Sequence, residues 1–236
     1  MKILAIVPAY NEAKNIERVI NNIAKEEPKI DIVIINDGSD DETGLIAEKT
    51  KKATVINLPH NLGIGGTIQT GFKFAERKNY DVIIRTDGDG QHQSEEIKKL
   101  LKPIMDKEAD LVIGSRFLNR GNSYPNLIRR AVQKIISSLI SLITWQKITD
   151  STSGFRCYTK ESISFLNKYC SIDYPEVEEI IFLKKNQFKI KEVGVSTKNR
   201  EEGVSSFTTI KSLYYLLRVI LSIFINILRT PIIKKR

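Results

Sequence analysis

The 236-residue sequence predicts an α/β protein with a mostly parallel, doubly wound sheet. Five short runs rich in Ile and Val alternate with polar, helix-like segments, and parallel strands buried on both faces have this near-continuous apolar composition. Each run ends in a polar loop, where the chain is expected to leave the sheet. The five predicted strands cover residues 2–9, 30–37, 53–58, 80–90 and 109–117.

Helix-like segments follow these strands, the first over residues 11–26 and later ones from about residues 41, 63 and 94. Beyond residue 120 the alternation stops. Residues 126–145 place Leu, Ile and Val on one broad face at about 100° per residue, with Arg129 and Arg130 opposite, which predicts an amphipathic helix. Two shorter helices, a strand around 189–195 and an apolar helix over 210–228 are predicted to complete the chain.

The composition favours an anionic partner, because Lys and Arg number 37 against 28 Asp and Glu, a formal net charge of +9. The basic residues are spread over many helices without an aromatic-interleaved groove, so we expect no nucleic-acid binding. Cys157 and Cys170 lie too far apart for a metal or redox pair, and both are predicted to be core residues. We recognise no cleavable signal pattern and therefore expect a reducing, cytoplasmic location.

Polar motifs follow all five predicted strands, at the edge of the sheet where open α/β proteins bind their ligands. Any one of them is typical of a turn or a helix cap, but five on one edge predict a binding site. The motifs are PAYNE (8–12), NDGSD (36–40), NLG (61–63), DGDGQ (87–91) and GSR (114–116).

Asp87 and Asp89 flank Gly88, so their carboxylates can converge on one hard cation while the glycine lets the backbone approach. Mg²⁺ or Mn²⁺ held by one or two carboxylates and completed by substrate phosphates is the expected arrangement for diphosphate chemistry. His92 follows closely and is either within reach of the metal or phosphate or an exposed loop residue. The glycines at 63–66 do not fit the dinucleotide fingerprint, and no Gly-Lys pair exists for a P-loop.

Taken together and in order, the motifs resemble those of family 2 glycosyltransferases of the GT-A fold, and within them the dolichyl- or polyprenyl-phosphate sugar synthases and their bacterial relatives. Many of these relatives have proline at Ser151 and lysine at Ser206. The resemblance covers nearly the whole chain. Its motifs are IVPAYNEAKNI (6–16), IINDGSDDET (34–43), NLGIGGTIQTGFKFA (61–75), IIRTDGDGQH (83–92), LVIGSRF (111–117), TDSTSGFRCY (149–158), KIKEVGV (189–195) and REEGVSS (200–206).

The resemblance implies a site residue by residue. Arg116 and Arg200 would face the phosphates of donor or acceptor, Arg200 from a Gly- and Ser-rich loop that can close over the site. Asp87, Asp89 and Gln91 would hold the metal and the donor diphosphate, with Asp89 essential for catalysis. The nucleotide pocket would be lined by Pro8, Tyr10, Glu12 and Asp37.

The expected reaction is an inverting displacement at the anomeric carbon of a nucleotide-diphosphate sugar. A lipid phosphate acceptor is already ionised and needs no general base, whereas a hydroxyl of a lipid or growing glycan needs one, and Asp150 and Glu176 are the candidates. A non-catalytic nucleotide-binding module at the membrane surface is a third reading. The intact Asp87, Asp89 and Gln91 argue against it.

The predicted organisation is a catalytic domain over residues 1–206, with a nucleotide-sugar half over 1–117 and an acceptor half over 118–206. Residues 207–236 are predicted to form an apolar helix and a basic tail. This helix is too short and too polar for a membrane span of about 20 apolar residues, so we expect it to lie in the interface at the inner face of the cell membrane. Packing against the protein's own sheet or in a homodimer is the alternative.

Overall fold

A computed structural model describes residues 1–118, 127–169, 175–197 and 219–221. Within these residues, the predicted strands and helices appear in the predicted order, with shorter bounds. The strands are β1 (Ile3–Ala9), β2 (Asp31–Asn36), β3 (Thr54–Asn57), β4 (Val82–Arg85), β5 (Leu111–Ser115), β6 (Arg156–Thr159) and β7 (Ile190–Gly194). The helices are α1 (Ile16–Glu26), α2 (Thr43–Lys49), α3 (Gly63–Arg77), α4 (Ile97–Met105), α5 (Leu127–Thr144), α6 (Lys160–Tyr169) and α7 (Pro175–Lys185).

The described strands form one sheet in the order β3-β2-β1-β4-β6-β5-β7. Neighbours are parallel except that β6 runs antiparallel between β4 and β5. The mostly parallel sheet is therefore confirmed, but the sequence did not predict β6. Because β6 lies between them, β5 does not pair with β4 and pairs instead with β6 and β7.

Two apolar cores lie on opposite faces of the sheet, which confirms the doubly wound prediction. Strand residues alternate between them: Ile83 belongs to one core and Val82 and Ile84 to the other. Helices α3, α5, α6 and α7 contribute to the first core, and α1, α2 and α4 to the second. Cys157 lies in the second core as a buried free thiol, as predicted, and burial raises its pKa.

Helix α5 confirms the amphipathic helix predicted over 126–145, but its buried face is narrower than expected. Ile136 and Ile140 are fully buried, whereas Ile135 is 47% exposed and Leu142 is 68% exposed. Trp145, just after the helix, is 92% exposed. In the described ranges no helix is both long and apolar enough to cross a bilayer.

The predicted C-terminal helix and basic tail lie outside the described residues except at 219–221, which are helical. Val219 is buried in the first core, while Leu221 is 59% exposed. At this point, therefore, the chain contacts the protein's own core. The division of the chain at residue 206 stays a prediction.

Candidate active site

The loops that carry the five polar motifs lie at one edge of the sheet. Strands β1 to β4 are mutually parallel, and β5 has the same direction because two antiparallel pairings, through β6, connect it to β4. The carboxyl ends of these strands therefore face the same side, where ligands of open α/β sheets bind.

Asp37 ties three of these loops together. Its backbone N–H donates to the Ala9 carbonyl at 2.9 Å, after β1. Its buried carboxylate accepts hydrogen bonds from the backbone N–H groups of Leu62 at 2.8 Å and Gly63 at 3.0 Å, where α3 begins. Asp37, predicted to line the nucleotide pocket, thus fixes the relative positions of these three loops.

The other residues predicted to line the nucleotide pocket differ in their exposure and in their hydrogen bonds. Tyr10 is half-exposed, and its hydroxyl lies 3.4 Å from Asp40 Oδ2. Glu12 is buried, its carboxylate accepting from Asn15 Nδ2 at 2.7 Å. Pro8 is a buried β1 residue whose carbonyl accepts the Gly88 N–H at 3.2 Å. Of these three side chains, Tyr10 is the one open to a ligand.

The DGDGQ loop packs so tightly that two glycines are required. A Cβ on Gly88 would lie 3.0 Å from the Pro8 carbonyl oxygen, and a Cβ on Gly154 would lie 2.9 Å from both carboxylate oxygens of Asp87. Asp87, Asp89 and Gln91 are all partly exposed, and the Gln91 N–H donates to Asp89 Oδ1 at 3.0 Å. The three predicted metal ligands therefore lie on one loop, whose backbone is held by its contacts with Pro8 and Gly154.

This donor set fits a hard divalent cation. Carboxylate and amide oxygens are the ligands that Mg²⁺ and Mn²⁺ prefer. Across the residues that the structure describes, His, Cys, Asp and Glu side chains form no group of three or more that could hold a metal. A cation here would depend on two carboxylates and on oxygens from a ligand such as a diphosphate.

His92 packs against this loop, and its Nε2 lies 3.8 Å from Asp87 Oδ2. Its side chain is buried and stacks on Phe155, with ring centroids 4.8 Å apart. Its Nδ1 accepts the Asp87 backbone N–H at 3.2 Å, so that nitrogen carries no proton. Burial lowers the pKa of His92 although Asp87 and Asp89 act in the opposite direction. The histidine therefore holds the loop through the Asp87 N–H, and the exposed-loop alternative is wrong because the side chain is buried.

Arg116 and Asp150 form a close ion pair at the end of β5. Arg116 Nε donates to Asp150 Oδ2 at 2.7 Å and Nη2 to Oδ1 at 2.8 Å, a two-pronged contact. Asp150 is fully buried and also accepts from Gln133 Nε2 at 3.3 Å. Both oxygens of the predicted general base are therefore engaged, and its contact with Arg116 fixes the orientation of that guanidinium.

Ser151, where the resemblance leads us to expect proline in many relatives, is hydrogen-bonded to the Ser137 hydroxyl on α5. Its N–H donates to Ser137 Oγ at 3.2 Å, and the two hydroxyl oxygens lie 3.0 Å apart. Proline has no N–H to donate. The serine thus connects this segment to α5 through bonds that a proline could not make.

Glu176, the other candidate base, is paired with Arg85 at the end of β4. Arg85 is fully buried; burial acts to lower its pKa, but Glu176 and other acidic groups raise it, and the net shift is upward. Next to it, Arg156 donates to Glu179 Oε2 at 3.0 Å, which also accepts from the Tyr158 hydroxyl at 2.8 Å. Sequence reasoning missed Arg85, because an arginine inside an apolar run gives no local sign of its partner.

Arg200 and Ser206 lie outside the described residues, so the predicted phosphate contact of Arg200 stays a prediction. The segment that leads there is anchored at the site by a β-bridge between His92 and Thr197.

The structure is an open α/β sheet with its polar loops gathered at the carboxyl ends of the parallel strands. A model of glycosyl transferase family 2 matches residues 4–166, more than half of the chain. The chain belongs to glycosyltransferase family 2, as its motifs predicted.

Curated relatives match along most of their length. The chain is 36% identical over 215 residues to an uncharacterized protein of Methanocaldococcus jannaschii, covering 89% of this chain and 86% of that protein. It is 31% identical over 227 residues to UDP-N-acetylglucosamine--dolichyl-phosphate N-acetylglucosaminyltransferase of Methanococcus voltae, covering 88% and 90%. Identity to polyprenol monophosphomannose synthase of Mycolicibacterium smegmatis is 29% over 218 residues, covering 87% and 80%.

Among solved structures, glucosyl-3-phosphoglycerate synthase from Mycobacterium tuberculosis in complex with Mn²⁺, UDP and phosphoglyceric acid superposes with a TM-score of 0.74. The match covers 98% of this chain and 79% of that chain at 17% identity. At this identity the likeness shows the fold alone, and the fold is the predicted GT-A fold.

Proposed function

We propose that this family 2 glycosyltransferase transfers a sugar from a nucleotide-diphosphate sugar to a polyprenyl phosphate, with inversion at the anomeric carbon. The observation that carries the proposal is a loop with two carboxylates, Asp87 and Asp89, at the same edge of the sheet as an Arg116 that is oriented by Asp150. The names of the Methanococcus voltae and Mycolicibacterium smegmatis relatives support a lipid-phosphate acceptor.

Asp87, Asp89 and Gln91 would hold Mg²⁺ or Mn²⁺ together with the donor diphosphate. The bound metal would neutralise negative charge that grows on the departing diphosphate. Arg116 adds a fixed positive charge at the same edge of the sheet, and its bond to buried Asp150 means that it need not reorganise during the reaction. Arg200 is proposed to add a further charge when its loop closes.

The engaged state of both candidate bases favours a phosphate acceptor over a hydroxyl. Asp150 is held by Arg116 and Gln133, and Glu176 by Arg85. A phosphate oxygen is already an anion and attacks the anomeric carbon without losing a proton, while the bond from that carbon to the donor diphosphate breaks. Transfer to a hydroxyl of a lipid or glycan is the second candidate, and it would need a base that these contacts do not leave free.

The enzyme would meet this lipid at the inner face of the membrane as a peripheral protein. Ile135, Leu142 and Trp145 leave apolar surface exposed along and just after α5, and Arg130 on the same helix is exposed. The basic tail at 231–236 would add attraction to anionic lipids of about 1 kcal/mol per charge near the surface. A tryptophan beside exposed aliphatic residues is typical of the membrane interface.

The test is a panel of nucleotide-sugar donors incubated with polyprenyl phosphate, with Mg²⁺ or Mn²⁺ and with chelator. We expect one donor to give a lipid-linked, phosphate-containing product only when metal is present. Full activity in chelator would contradict the metal assignment. Turnover of no donor with any lipid would contradict the proposed function itself.

A further inference from the structure

Two buried arginines lie side by side beneath the metal-binding loop. Arg85 ends β4 and Arg156 begins β6, and the two residues are directly paired across the strands. Both side chains are fully buried. Buried like charges need matched opposite charges. Helix α7 supplies them as Glu176 and Glu179, about one helical turn apart.

The two arginines differ in how completely they are bonded. Arg156 donates from Nε to the Ser153 carbonyl at 2.8 Å, from Nη1 to Glu179 at 3.0 Å and from Nη2 to the Ser151 carbonyl at 2.8 Å. Arg85 donates from Nη2 to Glu176, while its buried Nε and Nη1 have no hydrogen-bond partner among the described residues. All three guanidinium nitrogens of Arg156 therefore donate hydrogen bonds to described residues, whereas two of the three nitrogens of Arg85 do not.

The nearest functional carboxylate to Arg85 in sequence is Asp87, two residues away. The Asp87 carboxylate packs against Gly154, two residues before the Arg156 that pairs with Arg85, so it lies near the same end of the β4–β6 pair. Asp87 also acts electrostatically on the Arg85 guanidinium, as Glu176 does. A guanidinium with free donors forms strong ion pairs with carboxylates. Released from Glu176, Arg85 would therefore compete with a divalent cation for Asp87.

We propose that Glu176 holds the Arg85 guanidinium away from Asp87, so that Asp87 stays available to the metal. Both are positioning residues, because neither is placed against the reacting atoms. This inference rests on the proposed function in one respect, that Asp87 is a metal ligand. It gives Glu176 a role different from that of a general base.

The test measures Mn²⁺ affinity by calorimetry in wild type, Glu176→Gln, Arg85→Met and the double variant. We expect Glu176→Gln to weaken Mn²⁺ binding by roughly tenfold or more. Without Glu176, the positive charge of Arg85 would attract the Asp87 carboxylate with a free energy larger than that of a tenfold change in affinity. Arg85→Met should bind Mn²⁺ at least as tightly as wild type. The double variant should return to within about threefold of wild type, since the competing charge is gone.

Glu108→Gln is the matched control, because Glu108 is also ion-paired, with Lys191 at 2.6 Å, but both side chains are about half-exposed. It should leave Mn²⁺ affinity unchanged. If circular dichroism shows that Glu176→Gln does not fold, the Arg85→Met variant alone decides. Mn²⁺ binding by Arg85→Met that is more than about tenfold weaker than in wild type would then overturn the inference.

A double variant that binds no better than Glu176→Gln would also overturn it, since a merely structural pair would show no such rescue. Wild-type affinity in Glu176→Gln would have the same meaning and would leave the proposed function intact. A wild-type protein that binds no Mn²⁺, with or without nucleoside diphosphate, would overturn the metal assignment and this inference with it.

Discussion

Asp89 is the residue on which the proposed chemistry depends most. It lies on a partly exposed loop and accepts the Gln91 N–H, so its carboxylate is not required by either core. Asp89→Asn should therefore nearly abolish turnover while leaving the melting temperature within a few degrees, as surface changes of about 0.5 kcal/mol do. Steady-state kinetics and thermal unfolding measure the two effects. Asp106→Asn, another partly exposed carboxylate that pairs with Lys102, should affect neither.

The ion pair between Arg116 and Asp150 leads to a second prediction about individual residues. If Asp150 acts by orienting Arg116, then Arg116→Lys, which keeps the charge but loses the two-pronged contact, should lower kcat/KM by roughly tenfold to a hundredfold. Asp150→Asn should cause a similar loss, and the double variant should be no worse than the more impaired single variant.

Kinetics of the three variants on one donor and acceptor check this expectation. A double variant whose loss equals the product of the single losses would show that Asp150 and Arg116 act independently. Asp150→Asn is also expected to be less stable, by about 3–5 kcal/mol, because it leaves a partly buried guanidinium without its counter-charge. Activity must therefore be measured well below its melting temperature.

At the scale of elements, the buried and exposed faces of helix α5 are expected to have different roles, the buried face in stability and the exposed face in membrane contact. Trp145→Ser and Leu142→Ser change exposed side chains, so we expect unfolding free energies within about 0.5 kcal/mol of wild type but weaker sedimentation with anionic liposomes. Ile140→Ala, on the buried face of the same helix, should instead cost about 2–5 kcal/mol and leave liposome binding unchanged. Unchanged sedimentation of the two serine variants would contradict the proposal that α5 contacts the membrane.

The strands and loops also show which parts of the fold and of the site can be predicted from the sequence. Strands β1, β2, β4 and β5 were predictable because each is an apolar run buried on both faces, and the edge strand β3 was predictable from its short run with Val and Ile although its residues are only partly buried or exposed. Strand β6 was not, because its four residues include a buried arginine whose partner, Glu179, is 23 residues away on α7. The loops of the site followed from the strand ends, whereas the pairing of Arg85 with Glu176 spans 91 residues and leaves no local pattern.

At the scale of the whole molecule, the net charge of +9 should make membrane association sensitive to salt. We expect the full-length protein to sediment with anionic liposomes at low ionic strength and to be released as salt rises. Replacing Lys234, Lys235 and Arg236 by glutamine should lower the salt concentration at which release occurs, while nucleotide binding by calorimetry stays unchanged. Indifference to anionic liposomes at low salt would contradict the peripheral-membrane proposal.

The central claim, that the acceptor is a lipid phosphate, is tested most directly by one competition. The enzyme is given its active donor with equal amounts of polyprenyl phosphate and the corresponding polyprenol, with Mn²⁺, and the products are separated by mass spectrometry. We predict a glycosyl phosphate lipid as the dominant product and no glycoside of the alcohol. A glycoside of the polyprenol as the main product would contradict the account and would require a general base at the site.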